Sequence, residues 1–305
     1  VSGSTTHRSI KSTNKTKKMK TKVLVLGATG MLGNAVFRYL FEQSELCVFG
    51  TIRNQSDVSY FSDEMKSHLL TNIDVLNHDT LAGVCTKIMP DLIINCIGLI
   101  KQLSDSKNPL IALPINAMLP HSLADMASLI NARLIHISTD CVFSGLKGNY
   151  TEEDVCDATD LYGVSKKIGE LTDKPHAITL RTSIIGHELN SHHALIEWFL
   201  NQNNVITGYK KAVFSGLPTV ELARLIHEYV MPHPELSGVY HVSSAPVDKY
   251  SLLYLTAEVY GKHIEILPDE HFKIDRSLNS DRFRAATGYM PPHWPELITR
   301  MKNFR

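Results

Sequence analysis

Tyr162 and Lys166 stand four residues apart in Leu161-Tyr162-Gly163-Val164-Ser165-Lys166-Lys167-Ile168, and on a helix that spacing stacks both side chains on one face. A phenol beside an ammonium is equipped for proton transfer. The reference pKa of tyrosine is about 10, too high for ready exchange near neutrality, but a cation within ~4–6 Å lowers it by about 1–3 units. Such a pair can protonate an oxygen that gains charge, as in carbonyl reduction. Of the 11 tyrosines, Tyr162 alone has a lysine at this offset. Upstream, Ile137-Ser138-Thr139-Asp140 reads as a strand end, where hydroxyls project into a crevice. Ser138 or Thr139 is placed to polarise the same carbonyl, against the plainer reading of Thr139 as a turn or helix cap.

The elements that would position this pair begin near the N-terminus. Gly27, Gly30 and Gly33 lie between the apolar run Val23-Leu24-Val25-Leu26 and a stretch with helical apolar spacing, Met31, Leu32, Ala35, Val36, Tyr39 and Leu40. A second strand-like run, Leu46-Cys47-Val48-Phe49-Gly50-Thr51, follows. In a βαβ unit, such glycines turn the chain, admit a pyrophosphate and let the helix close on the sheet. Thr29, Met31 and Leu32 complete the turn and first helical positions, which face the phosphates. An NAD pocket would carry Asp or Glu about 20 residues on. This chain has Thr51-Ile52-Arg53-Asn54. Arg53 suits a ribose 2′-phosphate, which favours NADPH, with NAD as the alternative; a solvated loop cation is the plainer role.

Further along, strand and helix patterns alternate: a strand near 69–75, a helix near 79–89, a strand at 91–96, a helix near 109–130 and a strand at 133–138. Runs such as Leu92-Ile93-Ile94 suit strands buried on both faces. The expected fold is α/β, a doubly wound Rossmann-type parallel sheet with a smaller C-terminal substrate-binding lobe. Residues 21–181 are assigned to the NADP(H)-binding domain and 182–305 mainly to the lobe, with some segments returning to the sheet. There the pattern loosens to helices near 193–202, 218–230 and 250–260 and a strand at 238–243.

Four segments together resemble an extended short-chain dehydrogenase/reductase of the dTDP-4-dehydrorhamnose reductase-like branch. They are Gly27-Ala28-Thr29-Gly30-Met31-Leu32-Gly33, Ser138-Thr139-Asp140-Cys141-Val142-Phe143-Ser144-Gly145, Tyr162-Gly163-Val164-Ser165-Lys166 with Gly169-Glu170, and Gly216-Leu217-Pro218-Thr219. The resemblance implies that Thr139 bonds the substrate oxygen, that Tyr162 donates its proton, and that Lys166 biases Tyr162 and binds the nicotinamide ribose. It implies further that Asp74 meets the adenine, that Asn95 and Gly98 line the cofactor, and that Asn116 supports the active-site helix. Lys101, Gln102, Arg181 and Pro218 are candidate substrate contacts, and Trp294 is expected in the core. Two departures concern the sugar: Cys141 stands where the family often has Tyr, and Phe214-Ser215 where it often has Asp-Gln.

With 31 basic and 31 acidic residues, the chain has no general attraction to nucleic acid or anionic membrane. Five cysteines lack CxxC spacing and His192-His193 lacks a ligand partner, so neither a disulfide framework nor a metal site is read. No apolar stretch is long enough to span a bilayer, which predicts a cytoplasmic protein. Residues 1–20, rich in Ser, Thr and Lys, read as a disordered tail or linker, with Met19 a candidate start. The expected activity is NADPH-dependent reduction of the C4 ketone of a nucleotide-linked 4-keto-6-deoxyhexose. Alternatives are a 4-epimerase or dehydratase with bound NAD, or a non-catalytic NADP-binding regulatory subunit. Partners beyond the nucleotide sugar would be a second copy, or a fused or associated sugar epimerase or dehydratase.

Overall fold

Aliphatic runs buried on both faces form the central strands, as a helix-covered parallel sheet requires. The structure is a computed structural model that describes residues 19–99, 104–189 and 191–305. Its first half runs β1 (Thr21–Leu26), α1 (Met31–Phe41), β2 (Leu46–Thr51), α2 (Asp63–Lys66), β3 (Leu69–Leu70), α3 (His78–Ile88), β4 (Leu92–Asn95), α4 (Pro109–Ala112), α5 (Leu119–Leu129), β5 (Arg133–Thr139), α6 (Leu161–Ile168) and β6 (Ala177–Thr182). A π-helical segment, Leu113–Met118, joins α4 to α5. The second half adds β7 (Ile184–Ile185), α7 (Leu195–Leu200), β8 (Ile206–Phe214), β9 (Leu217–Pro218), α8 (Thr219–Leu225), β10 (Gly238–His241), β11 (Val247–Asp248), α9 (Lys249–Tyr260), β12 (Ile266–Asp275), α10 (Asp281–Thr287) and α11 (Trp294–Asn303).

Seven strands form a parallel sheet in the order β10-β6-β5-β4-β1-β2-β3. Strand order reverses between β1 and β4, which opens a crevice at their carboxyl ends. Val23 and Val25 of β1 pack into one apolar cluster, Leu24 and Leu26 into another, as alternation along a strand dictates. This is the doubly wound sheet expected from the sequence. The first cluster also takes in Ile185, Ile196, Phe214, Leu217 and Leu252 from the C-terminal segments.

Those segments build a small layer in which β8 lies between β11, antiparallel, and β12, parallel. β8 and β12 differ from the sequence expectation, which has no strand there. In β8 the exposed run 209–211 interrupts the alternation of buried positions, and β12 has no fully buried residue. The third strand is shorter than 69–75. Asn72 at φ +58° breaks the extended chain after Leu70. Residues 1–18, Lys101 and Gln102 lie outside the described residues. Among the described residues no helix is long and apolar enough to cross a membrane.

Candidate active site

The end of β5 and the start of α6 meet at the crevice. Thr139 Oγ1 accepts the Cys141 N–H at 3.1 Å and donates to Asp140 Oδ1 at 3.2 Å, which turns the chain into a short 3₁₀ segment, Asp140–Val142. The expected capping role is thus filled by the same hydroxyl that the resemblance assigns to the substrate oxygen. Asp160 caps α6 by accepting the Gly163 N–H at 3.1 Å, which sets the first turn of the helix and with it Tyr162. The Thr139 hydroxyl is close enough to Tyr162 to favour the phenolate by hydrogen bonding. Ser138 donates to Glu170 Oε1 at 2.8 Å and is buried. Of the two strand-end hydroxyls, Thr139 is the one left to the site.

Electrostatics here correct the sequence expectation. Burial, with the nearby Cys141 and Asp140, holds the Tyr162 phenol well above its ordinary value, and Lys166 is not among the main influences on it. The Lys166 ammonium is turned to the Ile137 carbonyl oxygen at 2.8 Å. Burial pushes Lys166 down to about 8, with Glu170 partly opposing. At neutral pH Tyr162 thus carries its proton, the form a general acid needs.

Asn116 ties the surrounding turns together. Its Oδ1 accepts the Leu99 N–H at 2.9 Å, and its Nδ2 donates to Ser165 Oγ at 3.2 Å, which in turn donates to the Tyr162 carbonyl at 2.9 Å. A Cβ on Gly98 would lie 3.5 Å from Asn116 Oδ1 and 3.7 Å from Lys166 Nζ. Gly98 and Lys166 are thus neighbours. Asn95 differs from its expected role as cofactor lining: fully buried, it accepts the Ile97 N–H at 3.1 Å and pairs with His136 Nδ1 at 3.1 Å. It shapes the strand end from beneath.

The glycine turn fits a dinucleotide. Gly27 adopts φ +82°, open to glycine and strained for other residues. A Cβ on Gly33 would lie 2.0 Å from the Gly27 carbonyl oxygen, so α1 can approach β1 closely only with glycine there. The N-cap, Gly30, offers no side chain to the first-turn amides, which leaves that helix end suited to an anion. Thr29 lies in the turn and Met31 and Leu32 open the helix. Thr51, which the sequence reading did not single out, accepts the Gly27 N–H at 3.1 Å through its hydroxyl. Arg53 is exposed just past β2. Asp74 is exposed too, with Oδ1 accepting the Leu76 N–H at 3.0 Å.

Two candidate substrate contacts are corrected. Arg181, 2% exposed, is bound by both Glu170 oxygens at 2.7 and 2.8 Å and by His241 Nε2 at 3.1 Å. Its charge is spent inside the protein. Pro218 is buried opposite Ile185 in the β7–β9 pair, a scaffold position. Glu170 is the residue whose importance the sequence understated; its one signal is the Gly169-Glu170 pair after Lys166.

Residues 21–272 match the family model described as RmlD substrate binding domain. The chain belongs to this family. Within it, the chain is an extended short-chain dehydrogenase/reductase of the RmlD-like branch. It is 28% identical to methionine adenosyltransferase 2 subunit beta of Rattus norvegicus, over 83% of this chain and 74% of that protein. It is 25% identical to dTDP-4-dehydrorhamnose reductase of Aggregatibacter actinomycetemcomitans, over 93% and 99%. The solved dTDP-4-dehydrorhamnose reductase of Bacillus anthracis in complex with NADP has the same fold, with TM-score 0.75 and 22% identity over 93% of this chain and 98% of that one.

Proposed function

We propose that this RmlD-family protein reduces the C4 ketone of a nucleotide-linked 4-keto-6-deoxyhexose with NADPH. The observation that carries the reading is the grouping of Thr139, a protonated Tyr162 and Lys166 at the crevice of a sheet whose glycine turn fits a dinucleotide. Gly27 to Gly33 would hold the pyrophosphate, Arg53 the 2′-phosphate, and Gly98 with Lys166 the nicotinamide end. NADPH, when bound, supplies the hydride. Thr139 hydrogen-bonds the ketone oxygen, and Tyr162 passes its proton to that oxygen as it gains charge. The similarity to dTDP-4-dehydrorhamnose reductase supports this substrate class. The test is NADPH consumption by the purified protein with dTDP- and UDP-linked 4-keto-6-deoxyhexoses: one NADPH oxidised per sugar reduced is expected, and retained NADPH binding without turnover across the panel would overturn the reading.

A second reading is a nucleotide-binding regulatory subunit, favoured by the similarity to methionine adenosyltransferase 2 subunit beta. Under it, the same crevice binds NADP without turnover. Adding the purified chain to a methionine adenosyltransferase catalytic chain would then change that enzyme's KM or kcat. Unaltered kinetics and no co-elution would dismiss it.

A further inference from the structure

A threonine hydroxyl has one proton to donate and two lone pairs with which to accept. At Thr139 one lone pair takes the Cys141 N–H at 3.1 Å, and the proton goes to Asp140 Oδ1 at 3.2 Å. Both side chains are buried, so water does not readily replace either partner. A ketone oxygen only accepts, and so does an ionised carboxylate. For Thr139 to meet a ketone, two acceptors must therefore compete for one proton. Whichever loses is left enclosed without its donor.

Nothing else near Asp140 relieves that competition. Arg276 and Lys249 attract its carboxylate from other elements, but neither pairs with it. Arg276 Nε donates to the Phe143 carbonyl oxygen at 2.8 Å, and the Lys249 ammonium lies 4.1 Å from the centroid of the Phe214 ring. The remaining titratable neighbours, Cys141 beside it and Tyr162 on α6, are both held protonated by burial. Burial likewise lifts Asp140 above the ordinary carboxylate value, with Arg276 and Lys249 opposing. A proton on Oδ1 resolves the conflict: the carboxyl O–H donates to the second lone pair of Thr139, and the Thr139 proton is free to turn to the ketone. All three oxygens are then satisfied.

We propose that Asp140 is a positioning residue that takes up a proton when a 4-keto sugar binds and thereby releases the Thr139 hydroxyl to the ketone oxygen. This rests on the nucleotide-sugar reading above. The proton passes from solvent to Asp140 Oδ1, no bond of the sugar changes, and the Tyr162 proton stays available for the reduction.

The experiment uses the full chain saturated with oxidised NADP, which has no hydride to give, so that binding of dTDP- and UDP-linked 4-keto-6-deoxyhexoses is read without turnover. Calorimetric titration in two buffers of different ionisation enthalpy counts the protons taken up between pH 5 and 8. Wild type should take up as much as one proton per sugar within that range, with affinity falling by up to ~10-fold per pH unit where uptake is complete. Asp140→Asn, whose amide can donate to Thr139 at every pH, should lose that uptake and bind with little pH dependence. Asp140→Leu also frees the Thr139 proton but leaves it unoriented, so it should show the same flat profile at lower affinity. Lys249 and Lys166, each pushed down to about 8, are present in all three proteins, and the difference between them isolates Asp140. Sugar binding with equal proton uptake in wild type and Asp140→Asn, or with none in either, overturns the proposal. Uptake in wild type alone, without NADPH-dependent turnover, overturns the reductase reading and leaves this one standing; no sugar binding at all overturns both.

Discussion

Tyr162 keeps its proton because burial and the neighbouring acidic groups Cys141, Asp140 and Asp160 outweigh any help toward ionisation. Its hydroxyl is the group a reduction consumes, so Tyr162→Phe should lower turnover by on the order of 10²–10⁴-fold with NADPH affinity little changed; near wild-type kcat would remove it from the chemistry. Lys166 makes a separate prediction for the cofactor-free protein. Its folded value is about 8 against 10.5 for the unfolded chain, so between those values the unfolded state holds the additional proton and stability rises with pH. Below pH 8 the unfavourable contribution is complete, on the order of 3 kcal/mol. Lys166→Met should therefore need more urea to unfold than wild type at pH 7, with the gap closing toward pH 10. Equal midpoints at pH 7 would show that the ammonium is better solvated than its 4% exposure implies. The tyrosine–lysine spacing was legible in sequence because a helix converts a four-residue offset into proximity. The direction of Lys166 was not, since the Ile137 carbonyl it meets is 29 residues away.

At the level of elements, α1 rests on β1 through Gly33, and a methyl there would collide with the Gly27 carbonyl. Gly33→Ala should cost roughly 1–3 kcal/mol as an overpacked contact and weaken NADPH binding, both readable by urea unfolding and fluorescence titration. A variant that binds NADPH as wild type does would mean that the turn can relax. The βαβ unit could be read from residues alone because strand, glycine spacing and helix all lie within 31 consecutive positions, 21–51. The layer of β8, β11 and β12 could not. Its strands carry lysines, a glycine and a proline along a mostly exposed face, and what holds them is pairing between segments some 60 residues apart. Asn95 misled for a related reason: the position after an aliphatic strand looks open in one dimension, and only His136 on the adjacent strand shows that it is enclosed.

For the molecule as a whole, Glu170 joins β5, α6, β6 and β10. It accepts from Ser138, Lys167 and Arg181, and Arg181 reaches His241. His241, pushed down to about 4 by burial and Arg181, stays neutral, and its Nε2 can accept while Nδ1 serves the Tyr150 carbonyl. Removing one partner strands a buried charge, so Arg181→Met should lower stability by about 3–5 kcal/mol, and Arg181→Met with Glu170→Leu should lose less than that single variant. Additive losses in urea unfolding would argue against the coupling.

Ile185, Ile196, Phe214 and Leu252 share one apolar interior with the strands of the sheet. A wall fused to its floor in this way melts with it, and a calorimeter should record one peak.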